Sequence, residues 1–395
     1  NSSTSIGLLA QGGHSWIAGV HYIHNIISAL NLLTDDELPQ LYLIMNNGNK
    51  FKEHNELNTN LPALRYYAYR KDSSFRGQLA AIRRSFQNLK WPRSLECIAA
   101  RINAKAIFPS QISLGRHFPV HWVGWIPDFQ HKRLPQFFSQ EERLYRDRTY
   151  RKLLQEANHI VVSSQDAYKD LMCLFPIKPS KVSIFQFRSV LLPNLYKDDP
   201  RRIALSYGLP TKYLIYPSQF WIHKNHRLVI EAIRILRDSG FPDITLVCTG
   251  YKHDYRHPEY FDSLHDFILQ NNLKRNIRIL GLLPRNIQIQ LLRGAAAVIQ
   301  ASVFEGWSML VEESRALGKR IYLTDIPIHR EQDPPDAFFF SLDSPEQLAE
   351  LIAKDWAHLE PGPDLNREQQ AYEVQTKLNE DFARTFLQII DRACI

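Results

Sequence analysis

The sequence predicts an α/β protein made of two doubly wound parallel-sheet domains. Three observations carry this. Apolar runs of strand length alternate with segments of helical period along the chain, the pattern of parallel strands joined by crossover helices. At 395 residues the chain exceeds what one typical core organises. The alternation halts in a turn-rich stretch over 190–210, with Pro193, Asp198-Asp199-Pro200, Gly208 and Pro210, and then restarts. The expected organisation is a first domain over 1–195, a second over 196–364, and a helical segment over 365–395.

Residues 4–10 are the first expected strand, an apolar run ended by Gly12 and Gly13. Apolar side chains recur at helical spacing over 17–33. Short runs at 41–45, 64–69, 106–109 and 121–124 read as strands. Residues 141–158 form a charged helix with an apolar stripe facing inward. A strand over 159–163, a helix over 165–173 and a strand over 182–187 close the first half. The second half reads as strand 213–217, helix 226–238, strand 244–249, a loop over 251–257 and helix 261–271. Strand 277–280, helix 285–293, strand 298–301, helix 309–317 stopped by Gly318, and strand 320–324 follow. Pro361 and Pro363 mark a linker before a terminal helix over 369–390. Its apolar residues Tyr372, Leu378, Phe382, Phe386 and Ile389 are expected to pack back against the first domain. Ligands of open α/β sheets bind beyond the carboxyl ends of the strands, so the strand-to-helix loops should carry function.

Composition narrows the classes. The apolar fraction is 44%, yet no run approaches the ~20 residues of a membrane-spanning helix, as expected of a soluble globular protein. Cys97, Cys173, Cys248 and Cys394 are scattered without a C-x-x-C pair, which argues against a zinc site or disulfide framework and suits a reducing cytoplasm. No signal sequence is visible, and the missing initiator Met points to trimmed upstream residues. The net charge of +7 is uneven: from Arg70 to Lys105 nine Lys or Arg face two acids. Leu79, Ile82, Phe86 and Leu89 recur there at helical spacing. This stretch reads either as a basic amphipathic helix in peripheral contact with an anionic membrane, or as a surface helix facing its own core. Most amphipathic helices do the latter. The basic residues form no nucleic-acid motif, so no nucleic-acid partner is expected.

The most informative segment is Phe304-Glu305-Gly306-Trp307-Ser308-Met309-Leu310-Val311-Glu312-Glu313. A buried strand runs into a Gly-containing turn and a helix N-terminus, whose first N–H groups lack internal partners and face a positive dipole end. Glu305 and Glu313 bracket the turn with seven residues between them. Carboxylates accept hydrogen bonds from sugar hydroxyls, and N–H donors framed by such acceptors suit a sugar nucleotide. The plainer reading is an exposed helix with acids in its first turns.

This segment resembles the E-x7-E signature of retaining glycosyltransferases of family 4, which have the GT-B fold of two Rossmann-like domains facing a cleft. The resemblance implies that Glu305 faces the donor sugar and Glu313 the ribose hydroxyls. Gly306, Trp307, Ser308, Met309 and Leu310 would offer N–H groups to the diphosphate. It further implies a terminal helix that crosses back to the first domain, and no metal or other cofactor.

Tyr216-Pro217-Ser218-Gln219-Phe220-Trp221-Ile222-His223-Lys224-Asn225-His226 is a second strand-to-helix loop, with Asn225 as a helix N-cap candidate. Lys224 matches the family's diphosphate-binding Lys. Gln219 stands where the family has Arg, and it donates hydrogen bonds without charge. Arg227 or His223 could replace that charge. Gly12 and Gly13 follow the first strand without forming G-x-G-x-x-G, and fit either a tight turn or the loop over the donor phosphates. His131 and Asp128 lie in Trp125-Ile126-Pro127-Asp128-Phe129-Gln130-His131, a loop like one that faces the donor sugar in related enzymes. A lone His is more often structural. Trp122, Trp125 and Phe129 either stack a sugar or fill the core. Gly250 and Gly281 each end a strand beside the expected site, Gly281 near where the base would sit, and Thr324-Asp325 ends another.

The expected activity is transfer of a sugar from a nucleoside diphosphate to a hydroxyl acceptor. The alternatives are a related epimerase or phosphorylase, and a catalytically silent homologue that partners an active transferase.

Overall fold

The computed structural model describes residues 5–12, 16–46, 64–69 and 93–395. Gly13 and the amphipathic stretch from Leu79 to Leu89 lie outside the described residues. The chain divides into two compact units, Asn1–Arg188 with Leu378–Ile395, and Ser189–Lys377.

Among the described residues the first unit carries a seven-stranded parallel sheet. Its strands are β1 (Ser5–Leu9), β2 (Gln40–Asn46), β3 (Leu64–Tyr69), β4 (Ala104–Ser110), β5 (His121–Ile126), β6 (His159–Val162) and β7 (Val182–Ile184), in the order β3-β2-β1-β4-β5-β6-β7. The second unit carries β8 (Leu214–Pro217), β9 (Leu246–Thr249), β10 (Ile277–Gly281), β11 (Ala297–Gln300), β12 (Ile321–Thr324) and β13 (Ala337–Phe340), in the order β10-β9-β8-β11-β12-β13. Both sheets are parallel and reverse their order once, between β1 and β4 and between β8 and β11. Such reversals define the switch points where doubly wound folds bind ligands.

The strands are apolar on both faces because helices cover both. In β11, Val298 aligns with Ile215 of β8 and with Ile321 of β12, and all three are fully buried. Each such side chain contributes roughly 1.5–3 kcal/mol on leaving water. In the first unit Gly12 sits at φ +77°, and a Cβ there would meet the Trp16 carbonyl oxygen at 2.4 Å. Glycine lets the loop lie against the start of the Ile17–Leu30 helix, which is a packing requirement in its own right.

The terminal helix, Leu365–Ala393, starts in the second unit and ends in the first. Phe382 stacks on Phe185 at 4.6 Å, Phe386 meets Phe108 edge-on at 5.1 Å, and Lys105 pairs with Asp391 at 2.6 Å. Tyr372 departs from its expected place: it packs edge-on against Tyr196 within the second unit at 5.6 Å. The stretch after Thr324, which carries no element expected from its pattern, is also ordered into regular structure. It forms the Pro327–Gln332 helix, β13 and the Pro345–Trp356 helix. Pro327 and Pro345 begin helices there, where a missing N–H costs nothing. Among the described residues no helix is long and apolar enough to cross a membrane.

Candidate functional site

The loops after β8 and β11 flank the switch point of the second sheet, and a backbone hydrogen bond joins them. Val303 N–H donates to the His223 carbonyl at 2.9 Å, and the Tyr216 hydroxyl donates to the Lys224 carbonyl at 2.5 Å. This docking puts Lys224 Nζ 2.5 Å from Glu305 Oε1, with both side chains only 15% and 12% exposed. Ser302 Oγ and Gln300 Nε2 donate to the same oxygen at 2.7 and 3.2 Å. Gln300 Nε2 also reaches Ser308 Oγ at 2.7 Å. An ammonium, a carboxylate and two neutral donors therefore meet at the foot of the Met309–Ala316 helix. A negatively charged group entering there meets the ammonium and the helix N-terminus together.

Behind this cluster, Thr324 Oγ1 donates to the Ser302 carbonyl at 2.6 Å, and His329 Nδ1 lies 2.8 Å from the Thr324 carbonyl. Burial drives the His329 pKa down to about 4, so the ring is neutral at pH 7. Gln332 brackets Ser308 and reaches Glu312 Oε1 at 3.0 Å.

Glu313 is almost fully buried and pairs with Arg285, the first residue of the Arg285–Gly294 helix after β10. Burial raises its pKa, and the Arg285 guanidinium opposes the rise. Gly250 ends β9 at φ +136°, and a Cβ on it would meet the Ser218 carbonyl oxygen at 2.3 Å. The β8 loop thus lies directly on the β9 end. Gly250 N–H donates to the Gly281 carbonyl at 2.8 Å, and Gly281 adopts φ +75°. Buried Asp254 ties the same loops together, accepting from Ile222 N–H at 3.3 Å and from Arg256 N–H at 3.1 Å.

Several expected roles are not realised. Asn225 does not cap the His226–Asp238 helix. It takes the left-handed conformation, which Asn tolerates, and its side chain donates to the Leu342 carbonyl at 3.1 Å. The two proposed substitutes for the family's Arg differ in state. Arg227 lies over the Phe267 ring at 3.5 Å, and buried His223 has its pKa pushed well below the ordinary value by desolvation. Gln219 lies half-buried where the β8 loop begins, its carbonyl accepting from Trp221 N–H at 2.8 Å. Gly306 and Met309 are half-buried, whereas Trp307, Ser308 and Leu310 are buried.

In the first unit, His131 is turned inward and its ring is buried. Its Nε2 lies 2.9 Å from Asp147 Oδ1, while Lys132 holds the other carboxylate oxygen at 2.6 Å. Burial lowers the His131 pKa. The ring thereby fastens its short helix to the Gln140–Glu156 helix, while its Nδ1 is buried without a hydrogen-bond partner. Asp128 Oδ1 accepts from Gln130 N–H at 2.9 Å, a local turn-closing bond. Trp122, Trp125 and Phe129 are core residues, with Trp125 stacked on Tyr22 at 4.1 Å.

Sequence reasoning missed Ser302, Gln300, Arg285, Asp254 and Gln332. Gln300 had a signal, as a polar residue inside an otherwise apolar strand. Arg285 and Gln332 had none, because their partners are distant in the chain.

An ammonium beside a helix N-terminus, at the switch point of a doubly wound sheet, is an arrangement that suits an anion. Residues 205–362 match the model of the glycosyl transferases group 1 family. Solved structures of the same fold span nearly the whole chain. HepE from Anabaena, in complex with UDP and glucose, superposes with a TM-score of 0.68 at 14% identity over 98% of this chain and 99% of its own. A glycosyltransferase from Rickettsia africae gives 0.66 at 17% identity over 100% and 99%. Sucrose-phosphate synthase from Thermosynechococcus elongatus gives 0.65 at 12% identity over 98% of both chains. No curated protein matches the sequence. The match to the group 1 glycosyl transferases lies in the second unit, over residues 205–362, and the chain has the GT-B fold.

Proposed function

We propose that this protein transfers a sugar from a nucleoside diphosphate to a hydroxyl acceptor, with retention at the anomeric carbon. The observation that supports it best is the Lys224–Glu305 pair beside the foot of the Met309–Ala316 helix. Lys224 and the N–H groups there meet the charge that grows on the leaving diphosphate, the largest catalytic term available to such a site. Glu305 faces the donor sugar and Glu313 the ribose hydroxyls. The acceptor oxygen bonds to the anomeric carbon as the sugar–phosphate bond breaks, and the acceptor proton passes to the departing phosphate oxygen. No metal ion is required in this scheme.

The Anabaena protein of the same fold was solved with UDP and glucose, so uridine is the first base to test. The experiment is thermal stabilisation by UDP, GDP, ADP, CDP and dTDP with EDTA, on wild type and Glu313→Ala. A ligand of the folded state must raise the melting temperature. Stabilisation by one nucleotide, weakened in the variant, supports the donor site. Absence of any shift refutes it. Nuclear magnetic resonance of the product with the matching sugar nucleotide then reads the anomeric outcome.

Gln219 favours a second reading, a silent homologue that binds the donor without turning it over. Nucleotide binding without sugar release, across hydroxyl acceptors and water, would select it.

A further inference from the structure

We propose that Gln332 is a positioning residue that holds the turn before the Met309–Ala316 helix in the shape the donor's diphosphate requires. This rests on the donor-site reading above. Gln332 is buried, and its side-chain amide matches the backbone of Ser308 on both sides. Its Oε1 accepts from Ser308 N–H at 3.0 Å, and its Nε2 donates to the Ser308 carbonyl at 3.0 Å. The same Nε2 donates to Glu312 Oε1 at 3.0 Å. Arg315 closes the arrangement, donating to the Gln332 carbonyl and lying 3.7 Å from Glu312 Oε2.

Ser308 N–H belongs to the set of helix-start donors that have no partner within the helix. Gln332 satisfies it from behind. The residue also fixes which way the peptide planes on either side of Ser308 turn, and therefore where the next N–H groups point. The Pro327–Gln332 helix grips the other end of the same turn through His329, Thr324 and Ser302, and Ser302 donates to Glu305. One short helix thus braces both ends of the segment 302–308. A side chain that merely filled space would not need paired donor and acceptor geometry.

The test is calorimetric binding of UDP and of uridine to wild type, Gln332→Ala and Gln332→Glu. If another diphosphate stabilises the wild type in the panel above, that diphosphate and its nucleoside are used. Misplaced phosphate donors should weaken UDP by about tenfold or more while uridine changes by less than about twofold. Gln332→Glu keeps an acceptor for Ser308 N–H but turns a second acceptor toward the Ser308 carbonyl and Glu312. The charged groups facing it are Glu312 and Arg315, and neutral His329 on its own helix stands between it and the Lys224–Glu305 pair. Its carboxyl should therefore titrate high, and UDP affinity should recover as the pH falls from about 8 to about 5.5. Wild type should show no such gain.

Equal losses for UDP and uridine, or no loss, would overturn the proposal. So would a folded Gln332→Glu that shows no recovery at low pH. If Gln332→Ala fails to fold, the Gln332→Glu pH series decides. Failure of both to fold, seen by circular dichroism, makes the amide a support of the whole unit and also overturns the proposal. A wild type that binds no nucleotide refutes the donor site itself, which is a separate result.

Discussion

Replacing Lys224 by Met should separate two effects that the structure joins in one ion pair. The substitution removes the ammonium 2.5 Å from Glu305 and leaves the carboxylate 12% exposed. Removing one partner of a buried pair costs about 3–5 kcal/mol. Glu305 still accepts from Ser302 Oγ at 2.7 Å and Gln300 Nε2 at 3.2 Å, so the expected loss is smaller, about 1–3 kcal/mol. For a unit of this size that is roughly 2–4 °C in Tm per kcal/mol. The catalytic loss is separate. Without a cation on the leaving diphosphate, kcat/KM should fall by about 10²–10³, the usual effect of deleting one preorganised charge-stabilising group. Adding Glu305→Gln to Lys224→Met removes the unpaired charge, so Tm should recover while turnover does not. Sugar release from the donor and thermal unfolding, measured on all four proteins, complete the cycle. If Lys224→Met loses stability but keeps kcat/KM within about fivefold, Lys224 is only a partner for Glu305 and the diphosphate role is wrong.

Three further outcomes follow from burial and backbone geometry. The Glu313 carboxyl is raised by burial, so its protonated form is favoured in the folded state, and wild-type stability carries a penalty that grows as pH rises through that raised value. Glu313→Gln should therefore gain on wild type in urea unfolding from acid to neutral pH, then plateau, while losing nucleotide affinity; a difference that shrinks over that interval would contradict the assignment. His226 stacks on Phe220 at 4.3 Å and its pKa is pushed down to about 3, so it contributes stability that is full above the ordinary His value of 6.5 and is lost as pH falls toward about 3. His226→Phe should flatten that acid limb, and an unchanged pH profile would exclude His226 as its source. Gly250→Ala should cost more than about 1–3 kcal/mol, since φ +136° is strained for Ala and the new methyl meets the Ser218 carbonyl oxygen; a Tm within 1 °C or so of wild type would show that the β8 loop yields readily.

What could be read from the sequence was local. The strand ends, the turns and the helix starts at 226, 285 and 309 follow from apolar period and breakers, and these put Lys224 and Glu305 on loops after β8 and β11. Their meeting was not readable, because it depends on sheet order. Residues 81 apart become partners only because β8 and β11 are neighbours across the reversal. Arg285 likewise reaches Glu313 across 28 residues, and Gln332 reaches Ser308 across 24. Nothing local to either residue specifies the partner.

The corrections share one cause, which is that a residue type has more than one way to satisfy its polar atoms. Asn225 and an N-cap suit each other in sequence, but Asn also tolerates the left-handed turn needed between the Ile222–Lys224 turn and the next helix. His131 follows a strand, as a substrate-facing residue would, yet Asp147 lies one helix away and claims its ring. His223 and Arg227 flank Lys224 and look like spare cations. Burial keeps the first neutral, and the Phe267 ring occupies the second. Charge at this site therefore cannot be counted from the sequence of the β8 loop. Gln219 donates hydrogen bonds without charge, and His223 beside Lys224 is held neutral by burial. If the protein turns over a sugar nucleotide, Lys224 and the helix start at Met309 must carry more of the leaving-group charge than their counterparts in an enzyme with both cations. Lys224→Met should then be more damaging here than in a relative that retains the Arg.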